Sequence, residues 1–96
     1  MKIYISMPTS EVAPEARRQM LLRAITEVEA SGHKAVYPSS RNAYDIGERI
    51  NLMLKSDAIY LLPKWYENRV CCSEKQVAEN YDKKILFTIP EKSGTR

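Results

Sequence analysis

Hydrophobic and polar positions switch between two periods along this chain. Lys2-Ile3-Tyr4-Ile5-Ser6 is a short β-branched and aromatic run. It predicts a buried strand, ending in the loop Met7-Pro8-Thr9-Ser10. Pro14 suits the first turn of a helix, where its missing N–H costs nothing. From there to Ala30, Met20, Leu21, Ala24, Ile25 and Val28 fall at helical spacing and leave Arg17, Arg18, Arg23, Glu27 and Glu29 for solvent. Gly32 follows as a C-terminal cap. Lys34 to Tyr37 reads as a second strand stopped by Pro38, and Ser39 to Asn42 as a loop. The spacing of Ile46, Ile50, Met53 and Leu54 predicts a second helix from about Ala43 to Lys55. Asp57 to Leu62 is a nearly continuous apolar run, as in central strands covered on both faces. Pro63 ends it, and Lys64 to Arg69 is a polar and aromatic loop. A third helix is predicted from near Cys71 to Tyr81, and a fourth strand from Lys84 to Ile89, stopped by Pro90.

Strands and helices thus alternate, with short connections. That order implies right-handed crossovers and a parallel sheet. The expected architecture is an α/β, flavodoxin-like three-layer sandwich whose four-stranded parallel sheet has the order 2-1-3-4. Residues 1–90 form one domain and 91–96 a tail. In such a sheet ligands bind at the carboxyl ends of strands 1 and 3, where the winding reverses. Two segments are selected on topology alone: Ser6-Met7-Pro8-Thr9, and Pro63 to Arg69 with the first turn of the helix that follows.

Composition narrows the function classes. The chain has 96 residues and a net charge of +3. The basic residues are interleaved with acidic ones rather than gathered in one stretch, which argues against a nucleic-acid reader and suits a small anionic ligand. Such a short chain buries a thin core, so self-association is expected. Cys71 and Cys72 are adjacent, and neighbouring cysteines bridge to each other only with strain. There is no second pair and no CxxC spacing, so neither a disulfide framework nor a zinc site is expected. The opening residues lack the pattern of a signal peptide, and no apolar run approaches the ~20 residues of a membrane helix. A soluble, cytoplasmic protein without membrane contact is the expectation.

Among the candidate side chains, Glu74 lies one turn into the third helix. A carboxylate there is stabilised by the macrodipole. It could serve as a nucleophile or base facing the crevice, or simply as a solvated or capping glutamate. Trp65 could stack on a base or cover the edge of the core. Arg69 could pair with a phosphate or be a surface arginine. Tyr4 reads as a core aromatic whose hydroxyl needs a partner, which a carboxylate at the sheet end would supply. His33 reads as structural. Ser39 and Ser40 stand at the correct end of the sheet, or are plain loop residues.

The opening KIYIS with Pro8 two residues on, SDAIYLLPKW in the third strand, and Asn68-Arg69 ahead of Glu74 resemble the nucleoside 2-deoxyribosyltransferase-like superfamily, most closely its short branch of bacterial and phage proteins. The resemblance runs nearly to Ile89. It implies that Glu74 attacks the anomeric carbon of a nucleoside sugar, with the base leaving and the sugar ester passing to water or another base. It also implies that Tyr4 orients Glu74 and that Asn68 contacts the substrate; with the segments selected by topology, Ser6, Met7, Pro8, Trp65, Asn68 and Arg69 are the expected lining of the substrate site. Asn68 stands where the transferases have an Asp, and relatives that accept nucleotides a Ser. The resemblance further implies a homodimer that shares its crevice. No metal or organic cofactor is required.

The chain departs from that pattern at three positions. Val70 stands where a glycine is usual, four residues before Glu74. Met7 replaces a frequent glycine after the first strand. Arg49 replaces the Asp of the second helix that handles proton transfer to the leaving base, and an arginine cannot act as an acid at neutral pH. Arg49 could instead bind phosphate, or Glu48 could substitute as the acid. The expected function is cleavage or transfer at the N-glycosidic bond of a deoxynucleoside or nucleotide, with Glu74 as nucleophile; the alternative is a non-catalytic module that binds a nucleotide or nucleotide-like signal in the same crevice. An NAD-cleaving activity is a third.

Overall fold

The computed structural model describes residues 1–8, 13–39 and 45–90. The elements run β1 (Lys2–Ser6), α1 (Pro14–Ala30), β2 (Lys34–Val36), α2 (Ile46–Leu54), β3 (Ala58–Leu61), α3 (Arg69–Asn80) and β4 (Lys84–Leu86), with a 3-10 turn at Trp65–Glu67 before α3. All pairings are parallel and the strand order is β2-β1-β3-β4. The flavodoxin-like order expected from the alternation of elements is therefore the one formed. Register places Tyr4 beside Ile59 and Ser6 beside Leu61, so the end of β1 and the start of the Pro63 loop share one edge of the sheet.

The period-2 alternation of β1 and β3 builds two cores. Ile3, Ile5, Met7, Ala58, Tyr60 and Leu62 face α1, where Ala24 and Val28 are buried against them. Tyr4, Ile59 and Leu61 face the other side, packed with Met53 of α2 and Cys71 and Ala78 of α3. A strand buried on both faces reads as an apolar run, which is why β3 is so legible. Among the described residues no helix is long and apolar enough to cross a membrane.

Several boundaries differ from the expected ones. β2 ends at Val36 rather than Tyr37, and β4 at Leu86 rather than Ile89. Both are edge strands, and their pairing stops at Tyr4↔Val36 and Tyr60↔Leu86, before the ends of β1 and β3. α3 starts at Arg69, two residues before Cys71, because the Asn68 side chain accepts a hydrogen bond from Cys71 N at 3.1 Å and caps the helix. The loop expected at Lys64–Arg69 is instead wound into the 3-10 turn. It is entered through Lys64 at φ 65°, a left-handed conformation unusual for a side chain with a Cβ. α2 is capped by Asp45, which accepts from Glu48 N at 3.1 Å. The expected loop residues Thr9 and Ser40, the expected helix start at Ala43 and the tail 91–96 lie outside the described residues.

Candidate functional site

The carboxyl end of β1 and the amino-terminal halves of α2 and α3 converge on one carboxylate. Glu74, in the second turn of α3, is 1 % exposed. Its Oε2 accepts from the Tyr4 hydroxyl at 2.9 Å and from Arg49 Nε at 2.7 Å. Its Oε1 accepts from the Ser6 hydroxyl at 2.7 Å and from Arg49 Nη2 at 3.0 Å. The β1 alternation makes this possible, since Tyr4 and Ser6 point to the same face of the sheet, towards α3. Arg49, fully buried on α2, also donates through Nη2 to the Met7 carbonyl at 2.6 Å and through Nε to the Tyr4 hydroxyl at 3.1 Å. One guanidinium thus ties together the end of β1, α2 and α3. Among the described residues no buried side-chain nitrogen or oxygen lacks a partner.

The electrostatics follow from burial and pairing. Burial alone would lower the Arg49 pKa, but its hydrogen bonds to Glu74 and that carboxylate's charge outweigh it and hold the guanidinium above its ordinary value. The Tyr4 phenol is pushed well above its usual range, first by burial and then by the neighbouring Glu74 charge. Burial likewise raises the Cys71 thiol, which touches the Ser6 carbonyl through Sγ at 3.8 Å. A buried ion pair of this kind needs close geometry and full hydrogen bonding to offset desolvation, and this pair has both.

The structure thus brings together Glu74, Tyr4, Ser6, the Met7 carbonyl and Arg49, and it changes the part expected of Arg49. Its side chain is turned onto Glu74, so it is not a free donor for a phosphate. The other expected contacts are spread out. Asn68 is buried, with its amide oxygen engaged as the α3 cap. Arg69 is exposed at the start of α3, Glu48 is half-buried in the first turn of α2, and Pro8 is half-buried past the end of β1. Val70 is half-buried. Trp65 packs on the protein: its ring centroid lies 5.8 Å from Tyr66 and 5.9 Å from Phe87, with Lys75 Nζ 5.5 Å from the centroid. His33 lies between the terminal amine and the segment after β4, its Nε2 2.9 Å from the Pro90 carbonyl and its Nδ1 3.1 Å from the amine.

A cavity of about 440 Å³ opens beside the Glu74 cluster, on the β1–β2 side rather than the expected β1–β3 side. Met7, Pro14, Leu21, Tyr37 and Pro38 form its apolar wall, Arg17, Arg18 and Ser39 its polar rim, and Arg49 backs its floor. Its volume falls within the range of small-molecule sites. Sequence reasoning missed Arg17, Arg18 and Tyr37, assigning the arginines to solvent and the tyrosine to a strand. The available signal was Tyr37-Pro38 leaving β2 at the same sheet edge as Met7. A second hollow of about 340 Å³ lies between α1 and β3, against Met20, Arg23, Glu27, Tyr60 and Leu62. There the Tyr60 hydroxyl donates to Glu27 Oε1 at 2.7 Å.

Among the described residues no group of three or more His, Cys, Asp or Glu side chains could hold a metal ion. Comparison with models of protein families, with curated proteins and with solved structures finds no match. Chemically, the cluster offers a fixed, fully solvated-by-protein carboxylate beside a cationic, largely apolar cavity.

Proposed function

We propose that this chain is a small-molecule binding domain that holds a nucleoside or nucleotide at the carboxyl end of its sheet without cleaving it. One observation carries this reading. A carboxylate offers about four lone-pair positions, and Glu74 has four hydrogen bonds, two from Arg49 and one each from Tyr4 and Ser6, at 1 % exposure. A nucleophile needs an oxygen aimed at the ligand within attacking distance. Glu74 instead acts as the anchor of the crevice floor. The resemblance to the nucleoside 2-deoxyribosyltransferase-like superfamily supports the ligand class, and Arg49 in place of that family's acid supports holding over cleaving. The resemblance also supports a homodimer acting in the cytoplasm. Light scattering tests the dimer, and a monomer mass at micromolar concentration overturns it.

The second reading is N-glycosidic cleavage, favoured by the Tyr4–Glu74 hydrogen bond, which is the one the resemblance implies for an oriented nucleophile. In it the Glu74 carboxylate attacks the anomeric carbon, the bond to the base breaks, and water later hydrolyses the sugar ester. The step requires the Arg49 guanidinium to leave at least one Glu74 oxygen.

The deciding experiment incubates the chain with a panel of deoxynucleosides and deoxynucleotides, following free base by chromatography and binding by calorimetry. Binding without base release is expected. Base release that falls in Tyr4→Phe, with the fold retained by circular dichroism, would overturn the binding reading in favour of cleavage. Glu74→Gln alone cannot decide, because it also breaks a buried ion pair.

A further inference from the structure

The two faces of the sheet are covered unequally. α2 and α3 both supply the core on one face, whereas among the described residues α1 is the only helix on the other. α1 lies mainly over β1 and β2, and the hollow of about 340 Å³ opens over the β3 side, between α1 and Tyr60, Leu62 and Pro63. Met20, Arg23 and Glu27 of α1 line it. Ala30 continues the same stripe, since spacings of three, four and three residues keep the four on one flank of the helix. Met20 is half-buried and the other three are exposed. The Tyr60 hydroxyl, donating to Glu27 Oε1 at 2.7 Å, holds that carboxylate at the edge of the hollow.

We infer that this flank of α1, with the open half of the sheet beside it, is where a second copy of the chain docks, its own α1 antiparallel to the first and lying over β3 and β4. The inference rests on the homodimer of the proposed function and names its surface. A two-fold contact requires a patch that complements itself, and the order of the stripe does so in the antiparallel sense. Setting Arg23 against the partner's Glu27 sets Glu27 against the partner's Arg23. The same register brings Met20 onto the partner's Ala30, a large side chain against a small one. A parallel pair in register would instead oppose like charges, so the charge order selects the antiparallel arrangement. The methylenes of the partner's Arg23 enter the hollow against Tyr60 and Leu62 while the guanidinium meets Glu27. The second α1 thereby supplies the helix that the β3–β4 half of this face lacks, which suits a chain whose own core is thin.

Sedimentation equilibrium and native mass spectrometry on the whole chain test this. The parent is expected to be a dimer that dissociates more readily as salt is raised. Arg23→Glu and Glu27→Arg each place like charges at both symmetry-related contacts, and each is expected to weaken the dimer about hundredfold. Mixed in equal amounts, the two variants regain opposite charges at both contacts, so a heterodimer close to the parent in affinity is expected. Both side chains are exposed, and circular dichroism checks that the variants fold. Arg23→Glu leaves the bond between Tyr60 and Glu27 in place, so its dimer affinity decides the matter should Glu27→Arg unfold. A dimer that Arg23→Glu leaves at parent strength, or two folded variants that stay monomeric when mixed, overturns this interface and leaves the homodimer standing. A parent that stays monomeric at micromolar concentration overturns both.

Discussion

Arg49 and Glu74 are 25 residues apart in sequence and meet through two hydrogen bonds, Nε to Oε2 at 2.7 Å and Nη2 to Oε1 at 3.0 Å, with both side chains about 1 % exposed. Neither charge reaches water, so each depends on the other. The pair also gathers the Tyr4 and Ser6 hydroxyls and the Met7 carbonyl, and so fixes the end of β1 against α2 and α3. At the position where the resembled family carries an acid, this chain has Arg49, and it is the counter-ion of Glu74. Four hydrogen bonds on a buried carboxylate support the proposed role of Glu74 as an anchor.

Removing one partner should therefore be costly. Arg49→Met leaves a buried, uncompensated carboxylate and should lower stability by about 3–5 kcal/mol. Glu74→Gln strands the guanidinium and should cost a similar amount. The double variant should be less destabilised than the sum of the two by at least about 1 kcal/mol, because the second change removes a charge the first has already orphaned. Urea denaturation of the four proteins measures the cycle. Additive effects would show that the pair contributes no coupling.

Asn68 provides a separate test. Its amide oxygen accepts from Cys71 N at 3.1 Å, satisfying one of the otherwise unpaired amides at the start of α3. Asn68→Ala should destabilise the fold by about 1 kcal/mol and Asn68→Asp by much less, since aspartate caps equally well. Thermal denaturation reads both. Equal stability of the parent and Asn68→Ala would show that the bond to Cys71 N does not stabilise α3.

The fold was largely legible because it depends on periodicity. The apolar run Asp57–Leu62 and the helical spacing from Met20 to Val28 each state their own burial, and alternation of elements leaves few parallel topologies. Tyr4 and Glu74 came together as the resemblance implied. The Arg49–Glu74 pairing was not legible, because spacing along α2 reveals which face Arg49 shares and not which residue of another helix crosses it. The Asn68 cap was hidden by placing the α3 start near Cys71, although an Asn three residues before that point is a recognisable capping signal. The cavity at Tyr37 and Arg18 depends on how two loops leave the sheet, and no period in the sequence encodes that.

Lys64 stores backbone strain at the entrance to the 3-10 turn, with φ 65° and ψ 22°. A left-handed residue with a Cβ costs roughly 1 kcal/mol more than glycine there, while glycine adds unfolded-state entropy of somewhat smaller size. Lys64→Gly should be neutral to about 0.5 kcal/mol stabilising. Lys64→Val, whose branched Cβ tolerates this region worst, should destabilise by about 1 kcal/mol or more. Chemical denaturation of both variants checks the order, and a valine variant as stable as the parent would show that the turn relaxes.

Stability at alkaline pH should be limited by buried tyrosines, with Tyr60 as the measurable case. Its hydroxyl donates to Glu27 Oε1 at 2.7 Å. Burial first, then the bond to Glu27 and that carboxylate's charge, push its pKa from 10.0 up to about 12. The raised value means the folded state keeps a proton that the unfolded chain gives up near pH 10.0. The stabilisation is therefore complete below pH 10.0 and is lost as pH rises through about 12. Tyr4, displaced further in the same direction, adds to the loss at still higher pH. Because the Tyr60 hydroxyl lies beside the exposed Glu27, the loss from this residue should be about 1 kcal/mol rather than the full linkage value. Tyr60→Phe should be less stable than the parent at neutral pH by about 1 kcal/mol, having lost one hydrogen bond, yet fall less steeply between pH 10.0 and about 12. The two stability curves should converge across that window. Urea unfolding at a series of alkaline pH values measures both, with tyrosine absorbance reporting phenolate formation alongside. Curves that stay parallel across the window would show that Tyr60 ionises as freely in the folded protein as in the unfolded chain.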